Sequence, residues 1–467
     1  MFRRARFTGA IEHAIRVMVF NRLCDPESKL GVLRWLQTVS MPGIDSSKLT
    51  HQHLLRSMDA LMDHRQAVDA CVAQLLRPLI DEELSVVFYD LTTIRCEGLS
   101  EQSGDVRHHG MSKEGVVARQ FMLGVVQTAE GLPIYHEVFD GNTAEVSTLK
   151  PTLQKLLDRY PHIGRLVVVA DRGLLSVENI QEISALKAGG GRPLEFILAV
   201  PGRRYSDFVE LLEPIRESMI TATAEVTHEA RWQGHRLVIA HNPRRAAEQS
   251  GLRRNRIAEL EARAQKLAGK LDGQDAGEVH RGRKLSDSGA KARFFHEVSD
   301  ARLASIIRVD LTSDLFTYEI DESVLARVEA MDGKLLLVTN VADLDAEAIV
   351  ARYKSLADIE RGFKVLKSEI EIAPVFHRLP DRIRAHASIC FLALVLYRVM
   401  RQRLKLAGHG ASPETALVQL RRIQRHRVSI NDAAPIGGIS TVDQEQAGLL
   451  TALNLKKSTL DRQMTLL

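Results

Sequence analysis

The chain has 467 residues, 45% of them hydrophobic and 26% charged, with a formal net charge of +4. That length excludes one simple core and leaves roughly two to four units of about 150 residues, or a domain carrying large insertions. The near balance of charge excludes a uniformly basic surface, so a polyanion would have to meet local patches: Arg3, Arg4 and Arg6, then Arg244, Arg245, Arg253, Arg254 and Arg256, then Arg421, Arg422, Arg425 and Arg427. Cys24, Cys71, Cys96 and Cys390 are far apart with no zinc spacing, which fits a reducing cytoplasm. The first apolar stretch, IEHAIRVMVF, contains Glu12, His13 and Arg16 and is no signal peptide. The most apolar segment, Ala387 to Met400, is shorter than the ~20 residues a bilayer needs and reads as a buried helix, so no membrane contact is expected.

Residues 1–80 read as a helical N-terminal region, because apolar residues recur at helical spacing in IEHAIRVMVFNRL and HLLRSMDALMDHRQAVDACVAQLL, with Asp25-Pro26 between them. Residues 81–200 turn to β. SVVFYDLTTI, VVARQFMLGVVQT and LPIYHEVF, separated by the turn-prone SKEG and AEGLP, predict three antiparallel strands. A helix over EVSTLKPTLQKLLDRY, a strand RLVVVAD, a helix SVENIQEISALKA and a strand LEFILAV follow. Strands joined through helices lie parallel, by right-handed crossovers. The order β-β-β-α-β-α-β therefore predicts an α/β fold with a mixed five-stranded sheet and flanking helices, the arrangement of a ribonuclease H-like domain. Residues 201–345 read as a mostly β insertion around a charged helix, with strands in MITATAEVTHEARW, RLVIAH, DLFTYEID and KLLLVTN. Residues 346–405 return to the core through AEAIVARYKSLADIERGFKVLKSEIEI, read as one helix burying Ile349, Val350, Tyr353, Leu356, Ile359, Phe363 and Leu366. Residues 406–467 are expected to be helical and basic.

Three acids stand out by position. Asp90 closes the run Val86-Val87-Phe88-Tyr89, and Asp171 closes Leu166-Val167-Val168-Val169-Ala170. In a ribonuclease H-like sheet those two strands, the first and fourth, are neighbours. A carboxylate at such a point is costly to desolvate unless a cation or a donor compensates it. Glu360 lies on the helix after the insertion, the element that packs against this sheet edge in such folds. Three carboxylates suffice for two Mg²⁺ ions about 4 Å apart, with Mn²⁺ as a substitute, the arrangement that activates a nucleophilic oxygen and stabilises the leaving oxygen of a phosphodiester. Each acid alone has a simpler reading: a turn or helix cap for either Asp, an exposed partner of Lys364 for Glu360. Their order on matching elements singles them out. His108 and His109 read as loop residues near the meander turn rather than as ligands, and Asp140, in FDGNT, as a tight-turn residue ranking below the three.

These residues resemble the DDE transposases of bacterial insertion sequences, specifically the IS4-like superfamily and its IS1634-type branch. That group carries a Y-(2)-R-(3)-E-(6)-K pattern; Tyr353, Glu360 and Lys367 fall at its spacings, with Leu356 at the Arg position. FYDLTT, GMSKEG, FDGNT, VVVADRGLLS, DIERGFKVLKSEIEIAPVF and RIRAHASICFLALVL extend the likeness over residues 83–400. The resemblance implies that Asp90, Asp171 and Glu360 are the catalytic and metal-binding triad, and that the insertion corresponds to the family's largely β one. By the same likeness Tyr353 and Lys367 hold phosphates of the transposon end, with Lys364 and Arg361 as further phosphate contacts. Trp232 is a ring able to stack on a flipped base, against the alternative of core packing.

The implied activity is Mg²⁺-dependent hydrolysis at the ends of an element, followed by joining of the freed 3′-OH to target DNA, by a homodimer in the bacterial cytoplasm. Residues 1–80, the basic helix 249–271 and the run LRRIQRHR are the expected DNA-end contacts. Two other readings stay open. One is a structure-specific nuclease without strand transfer. The other is a catalytically silent DNA-binding remnant, favoured by the short sequence before IEHAIRVMVFNRL relative to branch members and opposed by the intact acidic set.

Overall fold

A computed structural model describes residues 11–80, 85–112, 115–171, 177–277, 284–428 and 436–455. Two compact units divide the chain: one runs to Leu198 and resumes at Ala351, the other is Ala199–Val350. The first unit opens with four helices, α1 (Ile11–Cys24), α2 (Lys29–Leu36), α3 (His51–Asp63) and α4 (Arg65–Leu76). Two of these starts are written locally. Ser28 accepts a hydrogen bond from the Gly31 N–H to cap α2, and Thr50 with His53 forms a capping box on α3. Ala14, Val17 and Met18 of α1 and Leu54, Met58 and Leu61 of α3 form the buried stripes.

The sheet follows: β1 (Ser85–Arg95), β2 (His108–Met111), β3 (Val117–Thr128), β4 (Pro133–Asp140), α5 (Leu149–Arg159), β5 (Leu166–Ala170), α6 (Val177–Ala185) and β6 (Glu195–Ala199). β3 pairs antiparallel with β1 on one edge, and with both β2 and β4 along the other. β1, β5 and β6 are parallel, as crossovers through α5 and α6 require. The sheet is therefore mixed. β2 corrects the loop reading of His108 and His109: they pair with Gln120 and Arg119 of β3. A four-residue polar strand carries no apolar alternation by which to recognise it. Gly141, after β4, has a structural reason to be glycine, since a Cβ there would lie 1.9 Å from the Gln120 carbonyl oxygen.

The sheet's two faces sort its side chains. Tyr89 is buried, and its hydroxyl donates to Thr148 at 2.9 Å, just before α5. Phe88 and Asp90 face the other way, opposite Gln127 and Val125 of β3. Along β4, Glu137 gathers an ionic cluster: Arg65 of α4 donates at 3.1 Å, Lys155 of α5 at 3.0 Å and the Tyr135 hydroxyl at 2.5 Å. Burial alone would raise the Glu137 carboxyl, but Arg65, Tyr135 and Lys155 outweigh it and hold it down at about 2. Arg159 of α5 completes the cluster, bonding Asp69 at 2.6 Å and lying over the Tyr135 ring.

The second unit holds α7 (Val209–Leu212), α8 (Arg216–Ile220), β7 (Val226–Trp232), β8 (His235–His241), α9 (Pro243–Asp275), α10 (Asp287–Asp300), β9 (Ile307–Val309), β10 (Tyr318–Ile320), α11 (Glu322–Glu329) and β11 (Lys334–Thr339). It is not mostly β. Helices of 33, 14 and eight residues outweigh strands of seven, seven, three, three and six. MITATAE contributes the end of α8 and a loop rather than a strand, and only three residues of DLFTYEID pair. In α9, Asn242 caps the start, and Ile257, Leu260, Ala264, Leu267 and Leu271 line up against Phe294 and Val298 of α10. Its basic run is largely matched by acids: Arg253 meets Asp332, Arg254 meets Glu329 and Arg256 meets Glu259. That pairing weakens the expectation that this helix is a bare polyanion patch.

The chain returns through α12 (Ala346–Lys354), α13 (Ala357–Ser368), α14 (Pro380–Leu406), α15 (Pro413–Arg421), β12 (Arg425–Val428), β13 (Ile436–Ile439) and α16 (Gln444–Ala452). The expected single helix is two. The Ser355 N–H is shared by the Ala351 and Arg352 carbonyls while its hydroxyl bonds back to Ala351 at 3.0 Å, a tightening that bends a helix. The C-terminal region is not wholly helical either, because the end of LRRIQRHR enters β12, which pairs antiparallel with the nearby IGGI of β13. α14 runs past its apolar centre to 27 residues, long and apolar enough by length and composition to cross a bilayer, and 72% of that apolar window is buried inside the protein. It packs on α1, α3 and β4, with His136 stacked on Phe391 at 4.3 Å.

Candidate active site

The parallel ladder between β1 and β5 runs from Ser85 opposite Leu166 to Tyr89 opposite Ala170. The next residues in register are Asp90 and Asp171, on strands spaced about 4.8 Å apart. Every residue from Val86 to Tyr89 and from Leu166 to Ala170 is buried; Asp90 is half-buried and Asp171 exposed. Asp171 thus stands where the sheet meets solvent and the expected desolvation cost does not arise for it, while Asp90 sits in mid-strand between buried Tyr89 and Leu91. Asp90 Oδ1 accepts the Leu91 N–H at 2.7 Å, and Asp171 Oδ1 accepts the Tyr353 hydroxyl of α12 at 2.8 Å.

α13 packs on β1 and α14. Its contact is close at Gly362, where a Cβ would lie 2.7 Å from Gln127 Nε2 and 3.1 Å from an Arg398 nitrogen. Gln127 is opposite Phe88, two residues before Asp90 and on the same sheet face, so α13 covers the Asp90 face. Glu360 belongs to the first turn of α13. Its side chain lies outside the described residues, as do the residues following Asp171 in DRGLLS and the centre of the SKEG turn. Among the described residues no three His, Cys, Asp or Glu side chains gather into a metal site.

On α13, Arg361 and Lys364 are exposed and Lys367 is half-buried; Leu356, at the pattern's Arg position, is half-buried at the break before the helix. Trp232 belongs to the second unit, half-buried and packed on Phe208 at 5.2 Å with the Arg204 guanidinium 5.6 Å over its ring. That is the packing alternative rather than an open stacking platform. Asp140 is exposed and its carbonyl accepts the Thr143 N–H at 3.0 Å, a tight turn. Gly362, Gln127 and Arg398 were not singled out by the sequence reading. The available signal was a glycine inside a helix, which costs about 1 kcal/mol against alanine and points to a close approach.

The class these features define is an α/β protein presenting paired acids on two adjacent interior strands of a mixed sheet. A family model described as Transposase DDE domain matches residues 81–396, and the chain belongs to that family of DDE transposases, nucleotidyl-transfer enzymes whose domains generally use divalent metal ions. No curated protein matches the chain. Among solved structures it is similar to the piggyBac transposase synaptic complex with hairpin DNA, determined by cryo-EM, at 7% identity and a TM-score of 0.40 over 88% of this chain and 70% of that one. So distant a likeness supports no inference.

Proposed function

We propose that the protein is a Mg²⁺-dependent DNA transposase of the IS4-like superfamily, IS1634-type branch, built on a ribonuclease H-like core interrupted by an insertion. The observation that carries this reading is the strand register that sets Asp90 beside Asp171, with the helix bearing Glu360 on the Asp90 face. The donors are hard carboxylate oxygens, which suit Mg²⁺ or Mn²⁺, and the neutral phenol on Asp171 leaves that carboxylate's charge uncancelled. Asp90, Asp171 and Glu360 would hold the metal, two ions in this reading. When bound, it supplies activation of an attacking oxygen and stabilisation of a leaving one.

The remaining work falls to the chain's own side chains. Asp90 and Asp171, on rigid strands, fix where the scissile phosphate must sit. Lys367, Lys364 and Arg361 neutralise flanking phosphates, and Trp232 is proposed to contact DNA only if its packing on Phe208 opens. Water and then the DNA 3′-OH serve as nucleophiles, so no covalent protein intermediate is required. Two copies acting on two DNA ends, in the cytoplasm, complete the proposal.

The test uses the full chain, Mg²⁺, DNA carrying the element's ends and a target plasmid. Nicked ends and joined products are expected, and both should vanish in Asp90→Asn, Asp171→Asn and Glu360→Gln. Activity surviving in those variants contradicts the reading, and nicking without joining replaces it with a structure-specific nuclease.

A further inference from the structure

We infer that Tyr353 is a positioning residue for Asp171, orienting its carboxylate for metal before any DNA arrives. This rests on the metal-site reading above and goes beyond a phosphate-contact role for Tyr353. Asp171 is exposed at the end of β5, and the terminal torsion of an Asp side chain is broad, so nothing in the strand itself fixes the plane of its oxygens. The Tyr353 hydroxyl, 2.8 Å from Oδ1, supplies that restraint from a separate element. Its donor is neutral, so it orients the carboxylate without competing by charge for the site. A lysine or arginine in its place would repel the cation it was meant to prepare.

The helix break gives the arrangement its shape. α12 ends at Lys354, one residue after Tyr353, and α13 starts at Ala357. The turn at Ser355 and Leu356 lets Tyr353 follow α12 towards β5 while Glu360 follows α13. One hydroxyl proton cannot serve Asp171 and a DNA phosphate oxygen together. A phosphate-only role and a positioning role therefore differ in a measurable way when no DNA is present.

Mn²⁺ is titrated into the full-length protein without DNA, and free Mn²⁺ is followed by electron paramagnetic resonance. Wild type should show saturable binding that Asp171→Asn removes. Tyr353→Phe should keep the stoichiometry and melting midpoint but bind roughly 10-fold more weakly, the low end for losing an outer hydrogen-bond partner of a metal ligand. Equal or tighter binding by Tyr353→Phe overturns the inference and leaves the metal site standing. Absence of any wild-type binding that Asp171→Asn removes overturns the site reading and this inference with it. If Tyr353→Phe lowers the melting midpoint, the wild type decides by the ring-carbon spectrum of its seven tyrosines: one resonance should move on adding Mg²⁺ and stay still in Asp171→Asn, and no such movement overturns the inference.

Discussion

Two acidic regions lie on the same sheet and are treated in opposite ways. Glu137, on β4, is surrounded by Arg65, Lys155 and Tyr135, and a neighbouring Arg159–Asp69 pair ties α4 to α5. Asp90, in the middle of β1, accepts the Leu91 backbone N–H, and Asp171, just past the end of β5, accepts a neutral phenol hydroxyl. The first carboxylate has its cations built into the chain, and its role is to bind helices to the sheet. Asp171 keeps its charge at the exposed end of its strand, where an external cation can use it. A strand-borne acid reads as structural or chemical according to whether the protein itself supplies the compensating charge.

The sharpest way to break that contrast is to neutralise each region in turn. Asp171→Asn should lower DNA strand cleavage by about 10³-fold or more, over 4 kcal/mol in barrier, with the melting midpoint unchanged or raised. Glu137→Gln should do the reverse, costing about 3 kcal/mol in chemical denaturation, the low end for a broken buried pair because Lys155 is more than half exposed. Activity per folded molecule should hold.

Acid titration of stability sharpens the same point. The Glu137 carboxyl is held at about 2, below its ordinary 4.5, so its stabilisation is whole above about pH 4.5 and is lost as pH falls towards 2. Wild type should lose stability across that window more steeply than Glu137→Gln. A smaller effect is expected at Gly362. Gly362→Ala should cost about 1–3 kcal/mol through overpacking on Gln127 and Arg398, and cleavage should fall as well because Glu360 rides on the same helix. The smallest belongs to Lys364, which is exposed: Lys364→Ala should weaken DNA binding less than 10-fold, alike for all sequences, and reduce the salt slope by about 1.

Apolar runs ending in a single acid made β1 and β5 visible, and their crossover made them neighbours. What escaped the sequence was non-local or polar. His108 to Met111 form a strand only because β3 offers them an edge, and Arg425 to Val428 because β13 does. Ser355 breaks a helix whose apolar spacing continues through the break. In the second unit the charged helix α9 was expected; α10 and α11, which bury only a few apolar residues among charged ones, were not, and they tip the balance from strand to helix. Tyr353 was noticed for its spacing, yet its contact with Asp171 joins residues 182 positions apart, which no local pattern encodes.

The most direct test of the metal centre is anomalous diffraction from crystals of the full chain soaked in Mn²⁺. The account predicts a manganese peak within about 2.0–2.6 Å of carboxylate oxygens from Asp90, Asp171 and Glu360. A peak bound elsewhere, with those three carboxylates too far apart to share an ion, would contradict it.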